Sequence, residues 1–300
     1  MTQAVLGTTG RYRLSPPEPV GETTMLLRRL RDTAGTTDCV LLGFDFPIGL
    51  PIAYARRAGI DNFLTLLREL AEGARPDFFR VATRLSEVGL DRPFFPQGDA
   101  TGLKRADFLT TLGFTKDELY RRCERARPAR AAAAPLFWTV GGNQVGKAAL
   151  AAWREVLCPG LLDRSLDLAI WPFAGPLASL LAPGRIVVAE TYPAECYVHL
   201  GLDLRRTPTG GKSGKRVQSS RAANGPAFIA WAAANGVELD ARLADELGSG
   251  FGPNENGEDR FDATVGLAGM LNVILGRQPS GEPDEEQICR LEGWILGQPG

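Results

Sequence analysis

Two acidic residues stand where apolar runs of the sequence end. Asp45 directly follows Val40–Phe44, and Glu190 closes the run that begins at Arg185. Continuous apolar runs of this length, bounded by glycine and proline, predict buried strands. In open α/β sheets ligands bind at the carboxyl ends of the strands, and a buried carboxylate there must be paired or hold a cation. We therefore predict that Asp45 and Glu190 lie at one edge of a sheet, although Asp45 alone would equally suit a helix N-cap or a turn.

A second acidic pair, Asp259 and Asp262, lies near the start of a predicted helix in which Phe261 and Val265 take core positions. The two carboxylates are three residues apart and so share one face of the helix. Small residues at 263, 266, 268 and 269 predict close packing of this helix against the sheet. That packing would bring the acidic face to the strand ends. The alternative is that both aspartates only cap the helix or interact with its dipole.

Carboxylates gathered at one place repel each other unless a cation neutralises them. The chain contains one histidine, His199, so a metal site would use oxygen ligands, which favours Mg²⁺ or Mn²⁺. Two such ions about 4 Å apart stabilise in-line attack on a phosphodiester. The residues thus predict a metal-dependent nuclease or a related phosphoryl-transfer enzyme. In it Asp45, Glu190 and Asp262 are the metal ligands, and Asp259 completes the catalytic set.

A glycine-rich basic loop follows the second predicted strand and carries Lys212, Lys215 and Arg216. Glycine lets the backbone approach a phosphate, and the cations neutralise its charge. We predict that these three residues contact the phosphates of a nucleic acid or nucleotide. A solvated loop without a ligand is an equal alternative.

A second glycine-rich stretch, Gly141–Lys147, has the spacing of a phosphate-binding loop, but Ala148 stands where such a loop needs serine or threonine to hold magnesium. A glycine-rich turn that leads into a helix is therefore favoured over a nucleotide-hydrolase loop. Its backbone N–H groups could still meet an anion, so Lys147 joins the candidate phosphate contacts.

Composition limits the class of protein. The 34 basic and 35 acidic residues give a net charge of −1, so no global field attracts nucleic acid or a membrane. The five cysteines form no CxxC pair, which favours a reducing, cytoplasmic compartment over a disulfide scaffold. No apolar run approaches the roughly 20 residues that span a bilayer. The composition leaves the oligomeric state open.

The order of strands and helices predicts an α/β chain that forms a single domain over residues 1–300, with a largely helical insertion at about residues 60–135. Within the insertion we predict a charged helix over Asp117–Arg130. Its arginines are expected to form a solvated face.

Several of these stretches together resemble the family known as domain of unknown function 429, which is regarded as a family of RNase H-like predicted nucleases. The similar stretches are Phe44–Pro51, Gly141–Lys147, Glu190–Glu195, Lys212–Arg216 and Asp259–Ala263. The resemblance implies an RNase H-like mixed sheet flanked by helices, with Asp45, Glu190, Asp259 and Asp262 at the acidic positions.

One part of the family pattern has no match. RNase H-like sheets open with a strand that ends in a metal-binding aspartate, and the first 36 residues contain no such apolar run. Either the chain starts after that strand or this branch has lost the ligand. We therefore keep two alternatives to the nuclease: a catalytically silent nucleotide- or nucleic-acid-binding protein of the same fold, and a nucleotide hydrolase that uses Gly141–Lys147.

Overall fold

The computed structural model describes residues 1–96, 103–127, 130–139, 145–204, 214–253 and 255–300, and shows a mixed α/β protein. The strands are β1 (Ala4–Leu6), β2 (Tyr12–Leu14), β3 (Val40–Phe44), β4 (Leu168–Ile170), β5 (Ile186–Glu190) and β6 (Glu238–Leu239). The helices are α1 (Leu26–Ala34), α2 (Ile52–Arg57), α3 (Phe63–Ala71), α4 (Arg105–Leu112), α5 (Val145–Ala152), α6 (Cys158–Leu162), α7 (Leu177–Leu180), α8 (Pro193–His199), α9 (Gln218–Ala234), α10 (Ala241–Ser249) and α11 (Glu255–Ile274). No helix in these ranges combines the length and hydropathy needed to cross a membrane.

The chain divides into two compact units. The first unit comprises Met1–Gly21 and Thr191–Pro279, and the second unit comprises Glu22–Glu190 and Ser280–Gly300.

The second unit contains a parallel sheet in the order β3-β5-β4. All five residues of β5 are buried, as expected for a central strand covered on both faces. Its register with β3 pairs Val40 with Ile186 and Phe44 with Glu190. The prediction that the two apolar runs are strands of one sheet with their carboxyl ends at the same edge is confirmed.

Helices and aromatic side chains pack around this sheet. In α3 the apolar side chains Phe63, Leu66, Leu67 and Leu70 are buried on one face, and Asn62 caps the helix by accepting a hydrogen bond from the N–H of Thr65. Trp153 is fully buried against Phe63 and donates its indole N–H to the carbonyl of Pro47 over 2.9 Å. This bond fixes the turn that follows Asp45.

The prediction of a charged helix over Asp117–Arg130 is wrong. The described part of that range holds two short 3₁₀ turns, Asp117–Leu119 and Arg122–Glu124, separated by extended backbone at Tyr120 and Arg121. Arg121 is fully buried instead of solvated, because the buried carboxylates of Glu124 and Glu190 neutralise its charge. The predicted insertion at residues 60–135 carries α3 and α4, and its status as an insertion stays a prediction.

The first unit pairs β1 antiparallel to β2 and β2 parallel to β6. Its core is formed by apolar side chains of α8, α9, α10 and α11, among them Phe228, Leu243 and Val265. The small residues of α11 do allow close packing, because a Cβ added at Gly269 would lie 2.2 Å from the sulfur of Cys196. Within this unit α11 packs against helix α8 at Gly269, and its packing against the sheet of β3 and β5 stays a prediction.

Candidate functional site

Glu190 lies at the end of β5 and is bound by Arg121. The Nη1 and Nη2 groups of Arg121 donate to the two carboxylate oxygens of Glu190, each over 2.7 Å. The backbone N–H of Ile48 donates to one of the same oxygens, also over 2.7 Å. The side chain of Arg121 is 0% exposed and that of Glu190 is 7% exposed, so this is a buried bidentate ion pair.

Two further carboxylates complete the group that we call the Arg121 cluster, which consists of Arg121, Glu124, Glu190 and Glu292. Glu124 accepts hydrogen bonds from the Nε and the backbone N–H of Arg121, both over 2.9 Å. Glu292 accepts from the backbone N–H of Arg122 over 2.7 Å, and its carbonyl accepts from Nη1 of Arg121 over 3.0 Å. The cluster thus holds three buried carboxylates and one guanidinium.

Burial raises the pKa of two carboxyl groups of this cluster, Glu124 and Glu292. The pKa of Glu124 rises to about 7, against the opposing effect of Arg121. Desolvation lowers the pKa of Arg121, but the acidic groups around it, including Glu124 and Glu190, raise it well above its ordinary value. Arg121 is therefore a permanent cation at this edge of the sheet.

Two glycines let the backbone come close enough to form the cluster. Gly49 has a φ of +133°, and a Cβ added there would lie 2.0 Å from the carbonyl oxygen of Glu292. Gly293 has a φ of +67°, and its Cβ would lie 2.3 Å from the carbonyl of Ile48. Both positions require a residue without a side chain.

Asp45 directly follows β3, beside the carboxyl end of β5, and its side chain is exposed. Asp45 and Glu190 belong to the second unit, whereas Asp259 and Asp262 belong to the first unit. The gathering of all four carboxylates stays a prediction.

In the first unit, Asp262 of α11 is buried and bound to Lys215. The ammonium of Lys215 donates to Oδ2 of Asp262 over 2.5 Å and lies 3.3 Å from Oε1 of Glu258. The hydroxyl of Tyr197 donates to Oδ1 of Asp262 over 3.2 Å, and Nε of Arg216 lies 3.7 Å from Oε2 of Glu258. We call these five residues the Lys215 cluster.

Electrostatics favour the ionised form of Lys215. Desolvation lowers its pKa, but the combined effect of Asp262 and Glu258 raises it above its ordinary value. Burial raises the pKa of Asp262, and the neighbouring Lys215 and Tyr197 oppose that shift.

Other predicted residues lie apart from these clusters or outside the described residues. Asp259 is exposed on α11, and Lys147 is exposed near the start of α5. His199 is exposed at the end of α8. Lys212 and residues 140–144 lie outside the described residues.

Two of the three predicted metal ligands, Glu190 and Asp262, are occupied by protein donors. Both oxygens of Glu190 accept hydrogen bonds from Arg121, and both oxygens of Asp262 accept hydrogen bonds from Lys215 or Tyr197. Within the described ranges, no group of three or more histidine, cysteine, aspartate or glutamate residues is placed to hold a metal ion. We therefore derive no chemical step through a metal at these residues.

Sequence reasoning missed Arg121, Glu124 and Glu292 as parts of the site, and it did not single out Glu258 or Tyr197. Glu258 lies one helical turn before Asp262, so a search for carboxylates four apart would have found it. Glu124 is three residues after Arg121, a spacing that a search for nearby opposite charges would have found. Glu190 and Glu292 are 69 and 171 residues away from Arg121 along the chain, and no local pattern reveals them.

No protein-family model, curated protein or solved structure matches this chain. The resemblance to the RNase H-like family therefore stays a prediction.

Proposed function

We propose that the protein binds a phosphate-bearing ligand, a nucleic acid or a nucleotide, through the basic residues of its first unit, and that it does so without a metal ion. The fold we propose for it is the RNase H-like one. One observation carries the proposal: the two buried carboxylates expected to ligate metal already have protein cations as partners. Glu190 is paired with Arg121, and Asp262 is paired with Lys215.

In the described part of the basic loop, Lys215 and Arg216 are open to a phosphate, with side chains that are 42% and 73% exposed. Their loop is held by Arg221, which donates to the backbone carbonyls of Lys215, Gly250 and Gly252 over 2.6, 2.9 and 2.6 Å. A fixed backbone reduces the conformational entropy that the loop loses on binding a ligand. The guanidinium of Arg216 is exposed and has a long, 3.7 Å contact to Glu258. It can therefore exchange this partner for a phosphate more readily than Lys215 can.

The test is a binding titration with a fluorescein-labelled single-stranded oligonucleotide, followed by anisotropy in EDTA at several salt concentrations. We expect binding that weakens linearly on a log–log plot against salt. Replacing Arg216 with alanine should lower that slope by about 0.7, since one phosphate contact is lost. Arg242→Ala removes an exposed arginine of α10 in the same unit and serves as the control.

Absence of binding at low salt would refute the proposal. An equal loss in the Arg216 and Arg242 variants would also refute it, since the cations of the Lys215 cluster would then have no special role.

A second candidate is the metal-dependent nuclease predicted from the sequence, and one observation favours it. Asp45 is exposed beside the carboxyl end of the central strand β5, where ligands of α/β sheets bind. Cleavage of an oligonucleotide that requires Mg²⁺ or Mn²⁺ and is lost in Asp45→Asn would support this candidate. Cleavage that survives this substitution would exclude Asp45 from the reaction.

A further inference from the structure

We infer that Arg121 is a built-in counter-cation at the carboxyl end of the β3–β5 sheet and takes the role that a divalent metal ion was expected to have there. This inference concerns the second unit and is independent of the ligand proposed for the first.

Each of the three guanidinium nitrogens of Arg121 donates to at least one acceptor. Nε binds Glu124, Nη2 binds Glu190, and Nη1 binds Glu190 together with the carbonyls of Ile48 and Glu292 at 3.1 and 3.0 Å. These acceptors surround a planar fork of donors, which suits a guanidinium and not a spherical ion. Arginine also keeps its charge at every physiological pH.

The cluster joins separate parts of the second unit. The turn after β3 is connected through Ile48 and through the N–H of Leu50, which donates to the carbonyl of Leu291 over 2.7 Å. The C-terminal segment is connected through Glu292 and through the N–H of Leu296, which donates to the carbonyl of Glu190 over 2.9 Å. Arg121 therefore acts as a junction between three chain segments at the end of β5.

A junction of this kind has a clear consequence. If Arg121 supplies the positive charge, divalent ions have no vacant place beside Glu190 and should not stabilise the folded protein. If a metal ion occupies that place, it binds the folded protein and not the unfolded chain, and it must therefore raise the melting temperature.

The experiment measures the melting temperature of the full chain by circular dichroism, in EDTA and in millimolar Mn²⁺ or Mg²⁺. The variants are Arg121→Lys, which keeps the charge but loses the fork, and Glu190→Gln. Arg28→Gln is the control, because it removes a solvent-exposed ion pair of the same unit, between Arg28 and Asp163.

We expect the wild type to melt at the same temperature with EDTA and with metal, and both cluster variants to melt lower than the control. A rise in the melting temperature of the wild type with metal that is lost in Glu190→Gln would overturn the inference. If Arg121→Lys melted at the wild-type temperature, the fork of donors would not be needed, and the match of these acceptors to a guanidinium would be refuted. Should both variants fail to fold, a wild-type melting temperature that is unchanged by metal still supports the inference, and one that rises with metal overturns it. None of these results depends on oligonucleotide binding.

Discussion

Replacing Gly49 with alanine tests how tightly the Arg121 cluster is built. The new Cβ would lie 2.0 Å from the carbonyl oxygen of Glu292, which accepts a hydrogen bond from Arg121. The φ of +133° at Gly49 is also one that residues with a side chain rarely adopt. Backbone strain of this kind costs about 1–3 kcal/mol, and overpacking costs about 1–3 kcal/mol more, so we expect a loss of about 4 kcal/mol in the free energy of unfolding.

Gly59 provides a matched control. It has a φ of +65°, but a Cβ added there would meet nothing within 4 Å. Gly59→Ala should therefore cost only the strain of the left-handed conformation, about 1 kcal/mol. Urea unfolding of both variants, followed by tryptophan fluorescence, gives the difference directly, which we expect to be about 3 kcal/mol. Equal losses in the two variants would show that the backbone at Gly49 does not lie against the carbonyl of Glu292 and would contradict the close packing of the Arg121 cluster.

Three further predictions concern the charged residues. Glu190→Gln should lower the free energy of unfolding by about 3 kcal/mol, which is near the lower end for a broken buried ion pair. The loss is not larger because Glu124 still accepts a hydrogen bond from Arg121. A loss below about 1 kcal/mol in urea unfolding would contradict this prediction. Because the pKa of Glu124 is raised from 4.5 to about 7 in the folded state, its contribution to stability is fully present below pH 4.5 and is lost as the pH rises through 7. Glu124→Gln should therefore flatten the pH dependence of unfolding in that window, and an unchanged profile would disprove the shift. Asp262→Asn should strengthen oligonucleotide binding severalfold, because Lys215 then keeps only Glu258 as an acidic partner. Weaker binding in the anisotropy titration would show that the Lys215–Asp262 ion pair itself positions the ligand.

The strands at the centre of the second unit were predictable because their signal is local. The runs before Asp45 and at Glu190 are apolar along their whole length, and they form β3 and β5 in parallel register. Amphipathic α3 was predictable for the same reason, since its apolar residues recur at helical spacing. The three-residue strands β1 and β4 are too short to give such a signal.

The buried role of Arg121 was not predictable from the sequence. A run of arginines ordinarily predicts a solvated surface, because burying a guanidinium costs free energy unless acidic partners surround it. Those partners, Glu190 and Glu292, come from distant parts of the chain. The same limit applies to Asp262, whose carboxylate was predicted to ligate a metal ion and is paired with Lys215 in the structure.

The most direct test of the central claim compares the affinity of the wild-type protein for one labelled oligonucleotide in EDTA and in millimolar Mg²⁺, at equal ionic strength. We predict that binding is no tighter with Mg²⁺ than with EDTA, because Arg121 and Lys215 already neutralise the buried carboxylates and Mg²⁺ competes with the protein for the phosphates. Binding that appears only with Mg²⁺ and disappears in Glu190→Gln would contradict the claim and restore the metal-dependent nuclease.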